Sequence, residues 1–511
     1  MGTLLLGALS LILYLTALAV YRLWLSPLAG IPGPKIAALT SWYNGYHDII
    51  RGGQYVWVIE DMHKKYGPVV RTRPDAVHIN DPYFIEELYS QSPKRRRERF
   101  HTIIKTLLAP GSILSTQDHD LHRHRRAALN PYFSRQNVRR LEPVINGTLE
   151  NLFRRMSGWA KDGQPVRMNV AFRAATKDVI VEYAFGGGEK CLDMSDCNGA
   201  FFDVMAPQRL THLGTHVYWF FKLMAGLPPA IMTVLVPKVG VFARFMQGLT
   251  AQIDDIKAAK EIPEGKTIFH DILLNENLPA SEKETNRLAD EAMVIVIAGS
   301  ETTATTLAAI MYHMLSDRSA MDRLRNELQT VMPTANELPD ASKLESLPYL
   351  NAVINEAIRL YPGASHRQDR LCPDEDLVYN NTSTGKSYRI PAGNGIGMTA
   401  PLVNRSPLIY QRPDEFLPDR HIEDPRLSKY SLSFSRGARQ CIGINLAYQE
   451  LQTFVAGIFR RYDLYDPERT EQAGPTLELY KTDRRDIAMH ADYVTPGQYE
   501  GSEGLRVIIR E

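Results

Sequence analysis

"FSRGARQCIGINLAYQELQ" (434–452) sets a single cysteine between two glycines, just ahead of a helical run. Gly437 permits a tight turn before Cys441, and Gly443 permits close backbone approach after it. Residues 444–459 read as a helix, so Cys441 precedes a helix N-terminus. Free backbone N–H groups there favour thiolate over thiol. Arg439, two residues upstream, adds positive charge. A stabilised thiolate can act as a nucleophile, a redox sensor or a metal ligand. No histidine base lies nearby in sequence.

The other cysteines, Cys191, Cys197 and Cys372, form no CxxC pair and no zinc spacing. They read as buried small hydrophobes in a reducing compartment. With 44% hydrophobic and 23% charged residues, the 511-residue chain has the composition of a globular protein. A net charge of +1 gives no general pull toward nucleic acid.

"TLLLGALSLILYLTALAVY" (3–21) carries no charge and spans about 28 Å as a helix, close to a bilayer core. It reads as a transmembrane anchor and not a cleaved leader, because no Lys or Arg precedes it. Arg22 and Lys35 follow it, which puts the body in the cytosol. Residues 22–36, with Pro27, Pro32 and Pro34, read as a stiff spacer. The sequons at Asn146, Asn380, Asn381 and Asn404 would then stay unmodified.

From residue 37 to 511 the reading is one domain, mainly α with small β-sheets. A hairpin is expected over 67–81, and a helix start at Asp81-Pro82. Helices are expected over 115–133, within 281–321 and over 346–363. The run "PKRRRERF" (93–100) reads as a solvated or phosphate-facing surface.

A helix-start cysteine with flanking glycines and an upstream aromatic suits an axial thiolate to haem iron. The stretch resembles the haem-binding loop of the cytochrome P-450 family, F-x-x-G-x-R-x-C-x-G, through Phe434, Gly437, Arg439, Cys441 and Gly443. Three further segments carry the resemblance. "EAIR" supplies Glu356 and Arg359 on one helix face, otherwise an ordinary ion pair. In the family this pair is buried and locks to a downstream P-x-R arginine, here Arg420. "AGSETT" matches the distal-helix pattern at Ala298, Gly299, Glu301 and Thr302. There the acid and hydroxyl steer protons toward dioxygen, and the small residues leave room over the haem. In "HRHRR", Arg126 fits a propionate-binding arginine, with His122 where the family often has Trp. Arg370 is a further propionate candidate, with Arg367 its rival.

The resemblance implies a haem b monooxygenase with Cys441 as axial ligand and Thr302 and Glu301 as catalytic residues. It implies a separate NADPH–cytochrome reductase, since "FGGGEK" (185–190) lacks a dinucleotide fingerprint. Arg123, Arg125 and Arg436 are candidate docking positions. An endoplasmic-reticulum anchor suits a lipophilic substrate, and the local wording is similar to fungal secondary-metabolism members such as the trichodiene-oxygenase-like group. The expected substrate class is a terpenoid, polyketide or alkaloid-like intermediate. A haem-thiolate isomerase or dehydratase and a non-catalytic haem sensor are the alternatives. Loops 100–118 and 205–245 are expected to shape the pocket.

Overall fold

The computed structural model describes all residues except 1, 93, 107–108, 206–208, 220–222, 224–230, 232–236, 260–266 and 470. Much of the pocket-forming segment 205–245 therefore lies outside the described residues. The elements that position the site are α1 (Gly2–Val20), β1 (Val69–Arg73), β2 (Ala76–Ile79), β3 (Glu98–Arg99), α2 (His119–Leu129), α3 (Met168–Phe185), α4 (Thr285–Ser316), α5 (Pro348–Leu360), β4 (Arg370–Leu371), β5 (Gly395–Gly397), α6 (Ile444–Arg461), β6 (Ala491–Tyr493) and β7 (Thr495–Gly497).

Apolar residues of α3, α4, α5 and α6 merge into one large core with the Glu142–Asp162 helix. The 32-residue α4 is long and apolar enough to cross a membrane, but most of it is buried in this core. It ends where Asp317 leaves helical geometry. The Asp317 carboxylate accepts from the N–H groups of Ser319 and Ala320 (2.9 and 3.1 Å), capping the next helix. The helix expected within 281–321 is α4, and a second helix begins at Arg318. That over 115–133 shortens to α2, because Asp118 caps it by accepting from the Leu121 N–H.

A second core lies under a five-stranded sheet of order β1–β2–β5–β4–β3. The expected hairpin over 67–81 is β1–β2, in antiparallel register Val69↔Ile79. Asp81 caps the following turn by accepting from the Tyr83 N–H (2.9 Å). At the far edge β3 pairs antiparallel with β4, in register Arg99↔Arg370.

None of the residues of α1 is buried, and with Tyr21–Leu25 it is long and apolar enough to cross a bilayer. The segment behind it is no free spacer. Leu28 is fully buried, the Pro32 carbonyl accepts from the Arg71 N–H (2.7 Å), and Arg71 Nη1 donates to the Arg22 carbonyl (2.8 Å). The proline segment docks on β1, so the apolar α1 leaves the body at a set point. Two of the sequons are structural: Asn381 and Asn404 are buried, and Asn404 Nδ2 donates to the Arg359 carbonyl and Ser433 Oγ.

Glu356 and Arg359 on α5 form a buried two-point pair (2.7 and 2.8 Å). Glu356 also accepts from Arg420 Nε (3.1 Å), the Leu417 N–H (2.8 Å) and His421 Nε2 (3.0 Å). Arg359 donates onward to the carbonyls of Asn404, Pro413 and Glu415. His421 is a member that the motif reading missed. Burial opposes the Glu356 charge, but the Arg359 and His421 hydrogen bonds prevail and hold its carboxyl at about 2, against an ordinary 4.5. Replacing one partner leaves buried charge uncompensated, so Glu356→Gln is expected to cost about 3–5 kcal/mol at pH 7. Because the folded-state pKa is depressed, this stabilisation is whole above about pH 4.5 and fades as pH falls toward about 2. Denaturant titrations of both proteins across that range should show the gap closing; a gap independent of pH would contradict the pairing.

Candidate active site

The loop before α6 is shaped by its glycines. Gly437 has φ +72°, and a Cβ there would sit 2.3 Å from the Tyr89 carbonyl oxygen and 2.7 Å from that of Ser90. Only glycine fits. After one 3-10 turn (Gly437–Arg439), the Cys441 N–H donates to the Phe434 carbonyl (2.8 Å). The Phe434 ring packs on Tyr448 of α6 at 5.7 Å. Burial pushes the Cys441 thiol up, while the Gly443 N–H and the Arg126 guanidinium pull it down. Cys441 as a residue is nevertheless exposed, unlike the other three cysteines. Arg439 is not the cation at the sulfur, contrary to expectation. Its guanidinium turns to the carbonyls of Thr116 (2.5 Å) and Gln117 (2.7 Å), ahead of α2.

Arg99, Arg126, Arg370 and Arg439 converge with His122. Arg126 donates to the Gln440 carbonyl (2.6 Å), beside Cys441, and Arg370 donates to Ser435 Oγ (2.9 Å). Burial lowers the pKa of all four arginines, and Arg439 falls to about 9. His122 is held neutral, at about 2, by burial and by the Arg439, Arg99 and Arg126 charges. Among the described residues none of these arginines pairs with a carboxylate, and Arg99 Nε has no partner. Like charges facing each other across two strands, as Arg99 and Arg370 do, are destabilising by themselves. The arrangement fits a ligand with two carboxylates next to a thiolate, as haem b has. Arg367 lies elsewhere, 3.5 Å from Asp48, so of the two rivals Arg370 is the one in the cluster.

On α4, Ala298 keeps accessible surface within an otherwise buried helix, and Thr302 is one turn further along the same face. Thr302 Oγ1 donates to the Ala298 carbonyl (2.9 Å). Glu301 points instead to α3, where Arg173 Nε meets it at 2.9 Å. Gly299 does not open space over the site. A Cβ there would lie 2.9 Å from Ile180 Cγ1, so this glycine serves close packing of α3 on α4. The glycine that crowds Thr302 is Gly363, just past α5; its Cβ would fall 2.6 Å from Thr302 Cβ.

The family model for cytochrome P450 matches residues 37–481. The chain belongs to the cytochrome P450 family. It is 39% identical to the cytochrome P450 monooxygenase astB of Talaromyces wortmannii, over 98% of this chain and 97% of that one. It is 37% identical to the cytochrome P450 monooxygenase tpcC of Cochliobolus heterostrophus (97% and 95%). It is 34% identical to the N-acetyltryptophan 6-hydroxylase ivoC of Emericella nidulans (98% and 96%). The retinoic acid-bound cyanobacterial CYP120A1 shares the fold, with TM-score 0.67 at 18% identity over 88% of this chain and 93% of that one.

As a P450 monooxygenase, the protein departs from its sequence reading at three further places. Arg125 is not free for docking: it meets Glu282 at 2.8 and 3.0 Å and is nearly buried. Arg436 is spent on the carbonyls of Ser428 and Ser431, while Arg123 stays exposed. In the run expected to be a solvated or phosphate-facing surface, Lys94 is exposed, but Arg97 is buried on the Leu88 carbonyl and Glu375, and Arg99 joins the cationic cluster. The cysteines Cys191, Cys197 and Cys372 are buried and free, as expected.

If Arg99 holds a haem carboxylate, Arg99→Leu would remove a charge-assisted contact worth about 1.5–3 kcal/mol. Haem retention, measured as haem per polypeptide after dilution, should fall roughly tenfold or more; unchanged retention would remove Arg99 from the site.

Proposed function

We propose that Cys441 is the axial thiolate of a haem b whose propionates are held by Arg99, Arg126, Arg370 and Arg439, with His122 as a neutral neighbour. The arginine cluster without a carboxylate, beside an accessible cysteine, carries this reading. When bound, the haem supplies dioxygen activation, which the thiolate assists by donating electron density.

The chain's own residues do the rest. Gly443 and Arg126 favour the charged sulfur, and the Gly437 turn holds it in place. Thr302, packed close to Gly363 and bonded to the Ala298 carbonyl, keeps oxygen lone pairs free to accept from a proton donor. Glu301 is the proton source behind it. The Arg173 pair turns Glu301 to α3, so delivery requires that pair to open.

In this reading electrons come from NADPH through a separate membrane-bound reductase. The apolar α1 anchors the enzyme in the endoplasmic-reticulum membrane with its body in the cytosol. The substrate is a lipophilic small molecule, a terpenoid or polyketide intermediate of fungal secondary metabolism. The fungal cytochrome P450 monooxygenases that match nearly the whole chain support the monooxygenase class.

Thr302→Ala is expected to keep the reduced carbon monoxide spectrum while NADPH consumption diverts to hydrogen peroxide. The product formed per NADPH should drop about tenfold or more. Stoichiometry of NADPH, peroxide and product in a reconstituted system measures this. Unchanged coupling would show that Thr302 takes no part.

A further inference from the structure

The basic run beside the cysteine loop carries a feature that the haem site does not use. "QSPKRRR" (91–97) sets a serine before a proline and four basic residues. Ser92 is exposed, in irregular chain between the Ile85–Leu88 helix and β3. Its N–H donates to Ser90 Oγ (3.2 Å), its Oγ accepts from the Lys94 N–H (3.4 Å), and its carbonyl accepts from the Arg95 N–H (3.1 Å). Among the described residues its hydroxyl donates to nothing, so it stands in solvent as a free nucleophile. Proline has no N–H and biases the residue before it to extended backbone. A kinase cleft takes its acceptor extended, and the basic residues that follow suit an acidic rim.

The side chains around Ser92 are close to charge balance. Arg95 meets Glu87 at 2.7 Å and Glu375 at 3.9 Å. Arg96 meets Asp120 at 3.1 Å, with Asp118 and Asp374 at 3.9 Å. All of these side chains are well exposed, so each pair is worth little and exchanges easily. Lys94 is exposed and, among the described residues, pairs with no carboxylate. The backbone just before Ser92 touches the cysteine loop. The Tyr89 and Ser90 carbonyls are the groups that a Cβ at Gly437 would strike. A change at Ser92 therefore lies two residues from a contact with the loop that holds Cys441.

We propose that Ser92 is a phosphorylation site for a proline-directed protein kinase, and that the phosphate weakens docking of the electron-donating flavoprotein on this face. In the step, Ser92 Oγ attacks the γ-phosphorus of ATP. The bond to the bridging oxygen breaks, ADP leaves, and the hydroxyl proton passes to the kinase's base. The phosphate brings about two negative charges near pH 7. Lys94 and Arg95 are the cations within its reach, and taking Arg95 releases Glu87 and Glu375. A balanced patch becomes acidic beside the cysteine loop, and it repels an acidic partner. The effect on docking rests on the reductase reading above; the site itself does not.

The full-length haem protein is purified from the cells that make it, and its peptides are mapped by mass spectrometry. A gain of about 80 Da on Ser92 is expected. A proline-directed kinase with ATP should add the same mass to recombinant full-length protein, and Ser92→Ala or Pro93→Ala should abolish it. Phosphorylated and unmodified proteins are then reduced by NADPH through purified NADPH–cytochrome reductase. The KM for reductase should rise about tenfold at low salt, and the gap should close at high salt. The dithionite-reduced carbon monoxide spectrum should stay the same. Ser92→Ala treated with kinase should keep the unmodified KM. Ser92 without phosphate in the protein from its own cells overturns the site, and an unchanged KM on phosphorylation overturns the regulation. Failure of the reductase reading would show differently, as no reduction of the unmodified protein by NADPH and reductase; the mass map then decides the site alone.

Discussion

Four guanidinium groups are packed together and, among the described residues, none forms an ion pair with a carboxylate. That constraint organises the site. Arg99 and Arg370 face each other across the sheet edge. Arg126 comes from α2, and Arg439 from the cysteine loop. Each is bound to backbone carbonyls or a hydroxyl, or is left partly unpartnered, and burial weakens the charge on each. In the proposed reading, an anionic ligand would offset that buried positive charge. The same contacts join the three structures that must be in register. Arg126 reaches the residue before Cys441, Arg439 reaches the start of α2, and Arg370 reaches Ser435 in the loop. Placing the anion therefore places the sulfur.

Glu356 shows the opposite solution to burying charge. One carboxylate is met by Arg359, Arg420, His421 and a backbone N–H, so its charge is fully answered inside the protein. It needs no ligand, and it ties α5 to the segment that leads into the cysteine loop. The first arrangement is a socket and the second a rivet. The difference between them is whether compensating charge is supplied by the chain.

Much of this was legible in the sequence where a local rule sets the geometry. The glycines around Cys441, the Asp81 cap, the pairing of Glu356 with Arg359 and the apolar α1 all follow from short-range sterics, hydrogen bonding or length. What was not legible depends on which distant element arrives. Arg99 sits in a run of basic residues that looks like surface, and only the β3–β4 register turns it inward. Gly299 lies inside the motif but faces Ile180, because helix rotation and not motif membership sets its direction. Gly363 read only as a helix stop, since its closeness to Thr302 spans 61 residues of sequence. The proline segment reads only as a stiff spacer, whereas the burial of Leu28 that docks it comes from β-sheet neighbours.

The central claim is that Cys441 binds haem iron through sulfur. Iron X-ray absorption on the purified protein tests it most directly. The account predicts one sulfur scatterer in the iron's first shell, absent in Cys441→Ala. A first shell of nitrogen and oxygen alone in the unaltered protein, or a sulfur that persists in the variant, would contradict it.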